Sequence, residues 1–251
     1  MLANLSPDKD LTSGPSLPAR IGRVLLAAAW PPLSMIVAAF LLAVVGVSWL
    51  LDKQPPGAPA ALVYFTLYYL IAATLAVWPW RRLLFGANSQ LREALGILNR
   101  PRFKDAWLAL VYFALYVLAA MVVAVIIRQL FPLFDIEKSQ NLYVQQPVTA
   151  AQFAYAFVAL VVLPPVAEEL IFRGFMLGAL GRQMSFWPAA ILTSLVFAAL
   201  HGQLNVAIDI FVLSLFLAKL RHKTGSVWAP MLTHVLKNGL AFLLLFVFVV
   251  K

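Results

Sequence analysis

Long, uninterrupted runs of apolar residues alternate with short polar segments along this chain. Seven runs can be delimited, and within each the apolar residues are continuous rather than alternating with polar ones. This pattern predicts membrane-spanning helices, whereas alternation would be typical of barrel strands. The runs cover residues 24–51, 60–80, 106–127, a fourth from 149 that reaches Pro164, 186–201, 204–220 and 227–250.

The composition supports a membrane protein. Hydrophobic residues make up 63% of the 251 residues and charged residues only 12%, whereas soluble domains have roughly 25% charged residues. We therefore predict an all-α, polytopic transmembrane helical bundle of about seven spans, within a range of six to eight. Polar residues inside the apolar runs predict an active-site cavity within the bundle.

The length favours one compact bundle over two folding units. Residues 1–23 are polar and hold both acids and bases, which predicts a flexible cytoplasmic tail and not a signal peptide. Residues 24–144 would supply N-terminal transmembrane helices, and residues 145–251 the catalytic helices. A short amphipathic stretch is predicted around residues 91–98.

The net charge of +9 indicates membrane contacts and not nucleic acid, because the basic residues lie in short loops where they meet anionic lipids. They flank the start of the first run and fill the loops after the second and sixth runs. By the positive-inside rule the N-terminus is cytoplasmic and the C-terminus lies outside. The short, loop-poor form favours a bacterial inner membrane. The absence of cysteine excludes disulfides and thiol catalysis.

Two adjacent carboxylates, Glu168 and Glu169, lie inside an apolar run. Each ionised side chain near the bilayer centre costs about 2.5–3.5 kcal/mol on insertion scales, so such residues are usually functional. Glu169 and Arg173 are four residues apart and share a helix face, which predicts a structural ion pair. Glu168 points about 100° away and is left to face a cavity. The preceding Pro164-Pro165 predicts a kink that re-aims this glutamate.

Two histidines in other apolar runs offer partners for Glu168. His201 follows Phe197 by about one helical turn, so the phenyl ring would form an apolar wall beside it. His234 and Asn238 are four residues apart and face the same way from the last helix. A lone acidic pair or histidine is often only a packed or snorkelling residue, but polar groups on three helices favour one shared site.

Other polar residues inside the runs are given structural roles. Asp209 and Lys237 lack other obvious partners and are predicted to pair with each other. Asn205 is four residues from His201 and could orient its ring.

The helical rise leaves one inconsistency in depth. Glu168 and His234 would lie about 10–12 Å from the cytoplasmic side, but His201 about 22 Å. Either the fifth run enters the bilayer later than its residues suggest, or residues 202–205 form a buried bend.

The three motifs resemble those of the CPBP family of intramembrane proteases, which includes type II CaaX prenyl endopeptidases and bacteriocin-immunity and lysostaphin-resistance-like proteins. The resemblance covers roughly residues 145–250, and the preceding residues match only as membrane helices. It implies hydrolysis of a peptide bond in a membrane cavity, with a membrane-embedded or prenylated peptide as substrate. The motifs, in chain order, are Glu168-Glu169-x-x-x-Arg173, Phe197-x-x-x-His201 and His234-x-x-x-Asn238.

The resemblance also implies a role for each residue. Glu168 and His201 would activate a water molecule, His234 and Asn238 would stabilise the oxyanion, and the neighbouring Glu–Arg ion pair would hold the architecture. These roles suit the chemistry, since a base must reach the water and donors must meet the charge on the carbonyl oxygen.

The sequence leaves the use of a metal open. Glu168, His201 and His234 could form the three-ligand set of a catalytic zinc site, and the family is often labelled metalloprotease. However, no run contains a His-Glu-x-x-His arrangement, and a metal-free glutamate mechanism is also proposed for the family. We expect either no cofactor or a single divalent metal such as zinc, with a preference for the metal-free reaction.

Two other functions fit part of this pattern. A transporter or proton-relay protein would also place carboxylates and histidines in the membrane, but the chain shows no inverted repeat. A catalytically silent immunity or scaffold protein would keep the fold, but every expected catalytic position is filled here. We therefore expect a membrane-embedded endopeptidase whose partners are lipids and a peptide substrate.

Overall fold

The computed structural model of this chain describes residues 15–47, 59–86, 91–97, 100–136, 147 and 149–248. Regular secondary structure within these ranges is helical throughout. The helices are α1 (Leu17–Val44), α2 (Pro59–Val77), α3 (Arg81–Phe85), α4 (Leu91–Ala94), α5 (Phe103–Leu130), α6 (Ala150–Gly181), α7 (Phe186–Ala199), α8 (Leu204–Thr224) and α9 (Trp228–Phe248).

The prediction of an all-α membrane bundle is confirmed. Among the described residues, five helices are long and apolar enough to cross a membrane: α1, α2, α5, α6 and α9. The other two predicted runs form α7, which is a shorter apolar helix of 14 residues, and α8, which has 21 residues. Helix α8 is not among the five helices that are apolar enough to cross a membrane. It carries the charged residues Asp209, Lys219 and Arg221.

Helix α6 is the centre of the bundle. It contacts α1, α2, α7, α8 and α9, and its residues Ile171, Phe172, Phe175 and Met176 are completely buried. The outward faces of α1, α2 and α5 instead expose large apolar side chains to the surroundings, as expected of surfaces that contact lipid. The chemistry carried by α6 is therefore enclosed by helices on several sides.

The first helix begins earlier than the sequence suggested. Helix α1 starts at Leu17, with a proline in its first turn, a position that proline favours because its missing N–H would be unpaired there anyway. The prediction of a flexible tail over residues 1–23 is therefore wrong for residues 17–23, and residues 1–14 lie outside the described part of the chain. Arg20 donates hydrogen bonds to the carbonyl of Gln183 through Nε (2.7 Å) and through Nη2. This contact joins the start of α1 to the turn between α6 and α7.

Helix α6 is continuous across the proline pair Pro164-Pro165, and the kink expected there stays a prediction. The helix continues through it because a π-helical turn, Val158–Val162, widens the backbone just before the prolines. A proline at position 164 cannot donate to the carbonyl of Leu160, and the side-chain amide of Asn238 donates to that carbonyl instead, at 3.1 Å. Transmembrane helices tolerate proline where neighbouring groups satisfy the freed backbone in this way.

Residues 91–97 pack into a groove on α6 and do not form a longer amphipathic helix. The groove is formed by Gly174 and Gly178, which allow the segment's backbone to approach closely: a Cβ added to Gly174 would meet the carbonyl oxygen of Leu95 at 3.0 Å. The guanidinium of Arg221 at the end of α8 donates to the carbonyl of Ala94 at 3.2 Å. This segment therefore ties α6 to α8 at one end of the bundle, and residue 98 lies outside the described part.

We predict that Gly174→Ala lowers the stability of the bundle. The added methyl group would press on a backbone carbonyl, and overpacking of this kind typically costs about 1–3 kcal/mol. Gly239→Ala is the matched control, because its Cβ would meet only Val161 Cγ1 at an ordinary 3.7 Å. Chemical unfolding in detergent micelles measures both. Equal stability of the two variants would contradict the described packing.

Candidate active site

The four residues predicted to be catalytic line one cavity of about 220 Å³. Glu168 comes from α6, His201 from the turn after α7, and His234 and Asn238 from α9. The remaining lining residues are Leu160, Pro164, Val206, Ile210, Lys237, Ala241, Phe242, Leu245 and Phe246. The structure thus brings together residues that are up to 70 positions apart in the sequence, in a cavity whose other walls are mainly apolar.

The Glu169 carboxylate links three helices. Its Oε1 accepts a hydrogen bond from Arg173 Nη1 at 2.8 Å, as the spacing predicted, and a second from His234 Nδ1 at 2.9 Å. Arg173 Nη2 in turn donates to Ser214 Oγ on α8 at 2.7 Å. Glu169, Arg173 and Ser214 are fully buried, so these bonds replace contacts with water. Glu169 Oε2 and Arg173 Nε have no hydrogen-bond partner among the described residues.

The bond to Glu169 determines which nitrogen of His234 faces the cavity. A carboxylate oxygen can only accept, so Nδ1 of His234 carries a proton and Nε2 is turned towards Glu168. Nε2 lies 3.8 Å from Glu168 Oε2, which is too far for a direct hydrogen bond but leaves room for a bridging water. The other oxygen of Glu168 accepts from the Tyr69 hydroxyl on α2 at 3.1 Å.

His201 is held by the backbone of the preceding turn. Its Nδ1 lies 3.0 Å from the carbonyl oxygen of Phe197, and because a carbonyl only accepts, Nδ1 is the donor and Nε2 is left as the acceptor. The Phe197 ring meets the rings of His201 and His234 edge-on at 5.2 and 5.9 Å, and the guanidinium carbon of Arg173 lies 4.6 Å from its centre. Phe197 therefore forms the apolar wall beside His201 that the sequence predicted, and the same ring contacts His234 and Arg173.

The bounds of the helices reduce the expected mismatch in depth. Helix α6 extends to Gly181, which places Glu168 about 20 Å from that end at 1.5 Å per residue, close to the estimate of about 22 Å for His201. Helix α9 begins inside the protein, since Val227 is fully buried and its N–H donates to the carbonyl of Gly96 at 3.1 Å. His234 therefore lies further from the surface of the protein than its distance along α9 alone would suggest.

The amide of Asn238 has a structural partner in addition to its place in the cavity wall. One N–H of Nδ2 is used by the carbonyl of Leu160. The amide group still has a second N–H and its own oxygen for other partners. The oxyanion role of Asn238 stays a prediction, and the bond to α6 explains how the side chain is fixed.

The other intramembrane polar residues form a second group beside the cavity. Lys237 Nζ lies 4.0 Å from Asp209 Oδ2, so the predicted pair is present, and Asp209 Oδ1 also accepts from the Tyr116 hydroxyl at 2.7 Å. Asn205 Nδ2 donates to the carbonyl of Ile136 at 3.2 Å. The ring of His201 is oriented by the carbonyl described above, and the suggested role of Asn205 in this stays a prediction.

The residues expected to bind a metal do not form a ligand set as they are arranged. No group of three or more His, Cys, Asp or Glu side chains in the described ranges is placed to hold a metal ion. Glu168, His201 and His234 line the same cavity, and the bonds at Nδ1 of each histidine leave Nε2 available, but the three side chains are not placed as a ligand set. We therefore derive no reaction step through a metal.

Sequence reasoning missed Tyr69 and Ser214. Tyr69 lies in an apolar helix beside Tyr64 and Tyr68, where a tyrosine is usually read as part of the core or the interface. Ser214 is a single small polar residue in an apolar run. A signal for Ser214 existed in principle, because a fully buried guanidinium needs more acceptors than one carboxylate offers.

Comparisons with known proteins give matches to part of this chain. Residues 150–240 match the family model described as type II CAAX prenyl endopeptidase Rce1-like. A "Putative membrane peptidase YdiL" from Bacillus subtilis (strain 168) is 29% identical over 77 residues, covering 31% of this chain and 32% of the relative. An "Uncharacterized 24.3 kDa protein" from Escherichia coli is 32% identical over 87 residues, covering 33% of this chain and 40% of the relative.

These matches are confined to part of each protein. The chain spans between about a third and two fifths of the length of the two curated relatives. Comparison with the solved structures gives no significant match.

We predict that Arg173→Met strongly destabilises the protein. It would leave the Glu169 carboxylate buried without its cation, and breaking a buried pair in this way typically costs about 3–5 kcal/mol. The double variant Arg173→Met/Glu169→Gln should recover part of the loss, because it removes the unpaired charge. Unfolding in a denaturant series measures both, with Arg182→Met as the control because Arg182 is exposed. A loss no larger than that of the control would contradict the described ion pair.

Proposed function

We propose that this chain, whose residues 150–240 match the type II CAAX prenyl endopeptidase Rce1-like model, is an endopeptidase of the CPBP family that hydrolyses a peptide bond within the membrane. The observation that carries this proposal is the convergence of one carboxylate and two histidines, from three separate parts of the chain, on one cavity. The gap of 3.8 Å between Glu168 Oε2 and His234 Nε2 is suited to holding the attacking water.

Glu168 is the proposed general base. Tyr69 holds one of its carboxylate oxygens, which leaves the other for the water. The carboxylate takes a proton as the water oxygen bonds to the peptide carbonyl carbon, and it returns that proton to the leaving amine when the C–N bond breaks. His201 presents Nε2 as an additional acceptor that can orient the same water.

His234 and Asn238 are the proposed donors to the oxyanion. Because Nδ1 of His234 donates to Glu169, its Nε2 must carry the proton that is donated to the oxyanion. Asn238 can offer its second N–H. Donors fixed before the reaction are most effective where water is excluded.

The proposed substrate is a membrane-embedded or prenylated peptide. The end of the cavity formed by α6 and α9 is lined by Leu160, Phe242, Leu245 and Phe246, which suits an apolar chain. Substrate would then approach from the bilayer, where the surrounding lipids contact the exposed apolar faces of the bundle. The prenyl group of the proposed substrate is inferred from the family resemblance alone.

The proposed location is a bacterial inner membrane, with the N-terminus in the cytoplasm. Several contacts collect basic residues at one end of the bundle: Arg20 binds the α6–α7 turn, and Arg221 binds the segment 91–97. Such an end is expected on the cytoplasmic side.

We predict that Glu168→Gln abolishes cleavage without unfolding the protein. Loss of a general base lowers rates by roughly 10²–10⁴-fold, and the amide is nearly isosteric with the carboxylate. Glu93→Gln is the control, because Glu93 is an exposed acid far along the chain from the cavity. The assay is cleavage of a panel of prenylated and unprenylated membrane peptides by the purified chain in liposomes, with thermal unfolding measured in parallel. Full cleavage by Glu168→Gln would exclude the proposed mechanism.

We also predict that cleavage survives removal of metal ions. The cavity side chains are not arranged as a metal-ligand set, so the proposed reaction uses the glutamate and the histidines directly. The measurement is the initial rate after extended chelation, together with metal analysis of the purified protein. Loss of activity that added zinc restores would show that a metal takes part.

A further inference from the structure

A lysine in the wall of the same cavity has no part in the proposed reaction. Lys237 follows His234 by three residues on α9, so both side chains lie on the same side of the helix. It lines the cavity together with Glu168. A cation inside a membrane bundle is costly and is usually kept for a structural pair or for a ligand.

The ion pair with Asp209 leaves the hydrogen-bond donors of the Lys237 ammonium unused. Nζ lies 4.0 Å from Asp209 Oδ2, which is a Coulomb contact but too long for a hydrogen bond. Asp209 is held independently by the Tyr116 hydroxyl at 2.7 Å. An ammonium has three donors, and among the described residues none accepts a hydrogen bond from Nζ. The side chain is also 20% exposed, so the ammonium is accessible to a further acceptor.

The charges around the cavity favour an anion at this point. Glu169 is already neutralised by Arg173, whereas the carboxylate of Glu168 accepts from the Tyr69 hydroxyl and lies near the imidazole of His234. An anionic group of a bound peptide would be repelled by Glu168 unless a cation lay beside it. Lys237 supplies such a cation in this wall.

We propose that Lys237 is a specificity-determining residue that binds a carboxylate of the substrate peptide close to the scissile bond. The inference rests on the proposed function, and it adds a requirement that the family resemblance does not contain. The carboxylate can come from the free C-terminus of the peptide or from an aspartate or glutamate side chain. A charge-assisted hydrogen bond at a desolvated site predicts a preference of about tenfold to a hundredfold for the anionic peptide.

The test compares three peptides of one sequence in nanodiscs that contain the full chain. One ends in a free carboxylate, one in an amide, and one in an amide with a glutamate placed near the end. The measured quantity is the ratio of kcat/KM for each acidic peptide to that for the neutral amide, which is insensitive to a general loss of activity. The wild type should favour at least one acidic peptide, and the favoured peptide identifies the source of the carboxylate.

Substitution of the lysine then assigns the preference. In Lys237→Met the ratio should fall to about one, and Lys237→Arg should restore part of it. Lys219→Met is the matched control, because that lysine lies on the exposed side of α8 against Phe186 and Trp187, and it should keep the wild-type ratio. A wild-type ratio of about one, or a ratio that persists in Lys237→Met, would overturn the inference.

A binding measurement separates this inference from the proposed function. The same peptides, labelled with a fluorophore, are titrated with two proteins: the single variant Glu168→Gln and the double variant Glu168→Gln/Lys237→Met. Binding that prefers the acidic peptide through Lys237, without cleavage by the wild type, would support the lysine site and reject the endopeptidase. Cleavage by the wild type with no preference for the acidic peptides in either assay would support the endopeptidase and reject the lysine site.

Discussion

The carboxylate of Glu169 is the interaction on which the candidate site depends. One oxygen accepts from Arg173 on the same helix and from His234 on α9, and Arg173 extends the network to Ser214 on α8. In an apolar interior each of these charges would be strongly unfavourable alone. The Glu169 carboxylate and the Arg173 guanidinium stabilise each other, and their bonds to His234 and Ser214 join α6 to α9 and α8.

This constraint sets the geometry of the cavity. With Nδ1 of His234 bound to Glu169, the ring can present only Nε2 to Glu168, and the two groups stay at a distance that suits a water molecule. Both groups project from helices rather than from loops, which favours a precise site. Helix α2 also contributes, because Tyr69 positions Glu168, although the family match begins only at residue 150.

The sequence predicted contacts within a helix better than contacts between helices. The Glu169–Arg173 pair followed from a spacing of four residues, and the apolar runs located the helices of the bundle. Nothing in the linear pattern places Tyr69 against Glu168, which is 99 residues away. Helix α6 continues through the proline pair because a π-helical turn and the amide of Asn238 accommodate it. The second of these comes from another helix and leaves no local signal.

Groups from three parts of the chain meet in one cavity. Because the chain contains no cysteine, introduced cysteine pairs can test this arrangement directly. Cysteine pairs at Glu168 and His234, and at His201 and His234, are treated with a short bifunctional thiol reagent in native membranes and quantified by mass spectrometry. The structure predicts that both pairs cross-link, whereas a pair at Glu168 and His222 does not, because His222 lies in the last turn of α8 stacked on Phe186. Cross-linking of the control pair alone, or equal yields for all three, would contradict this arrangement.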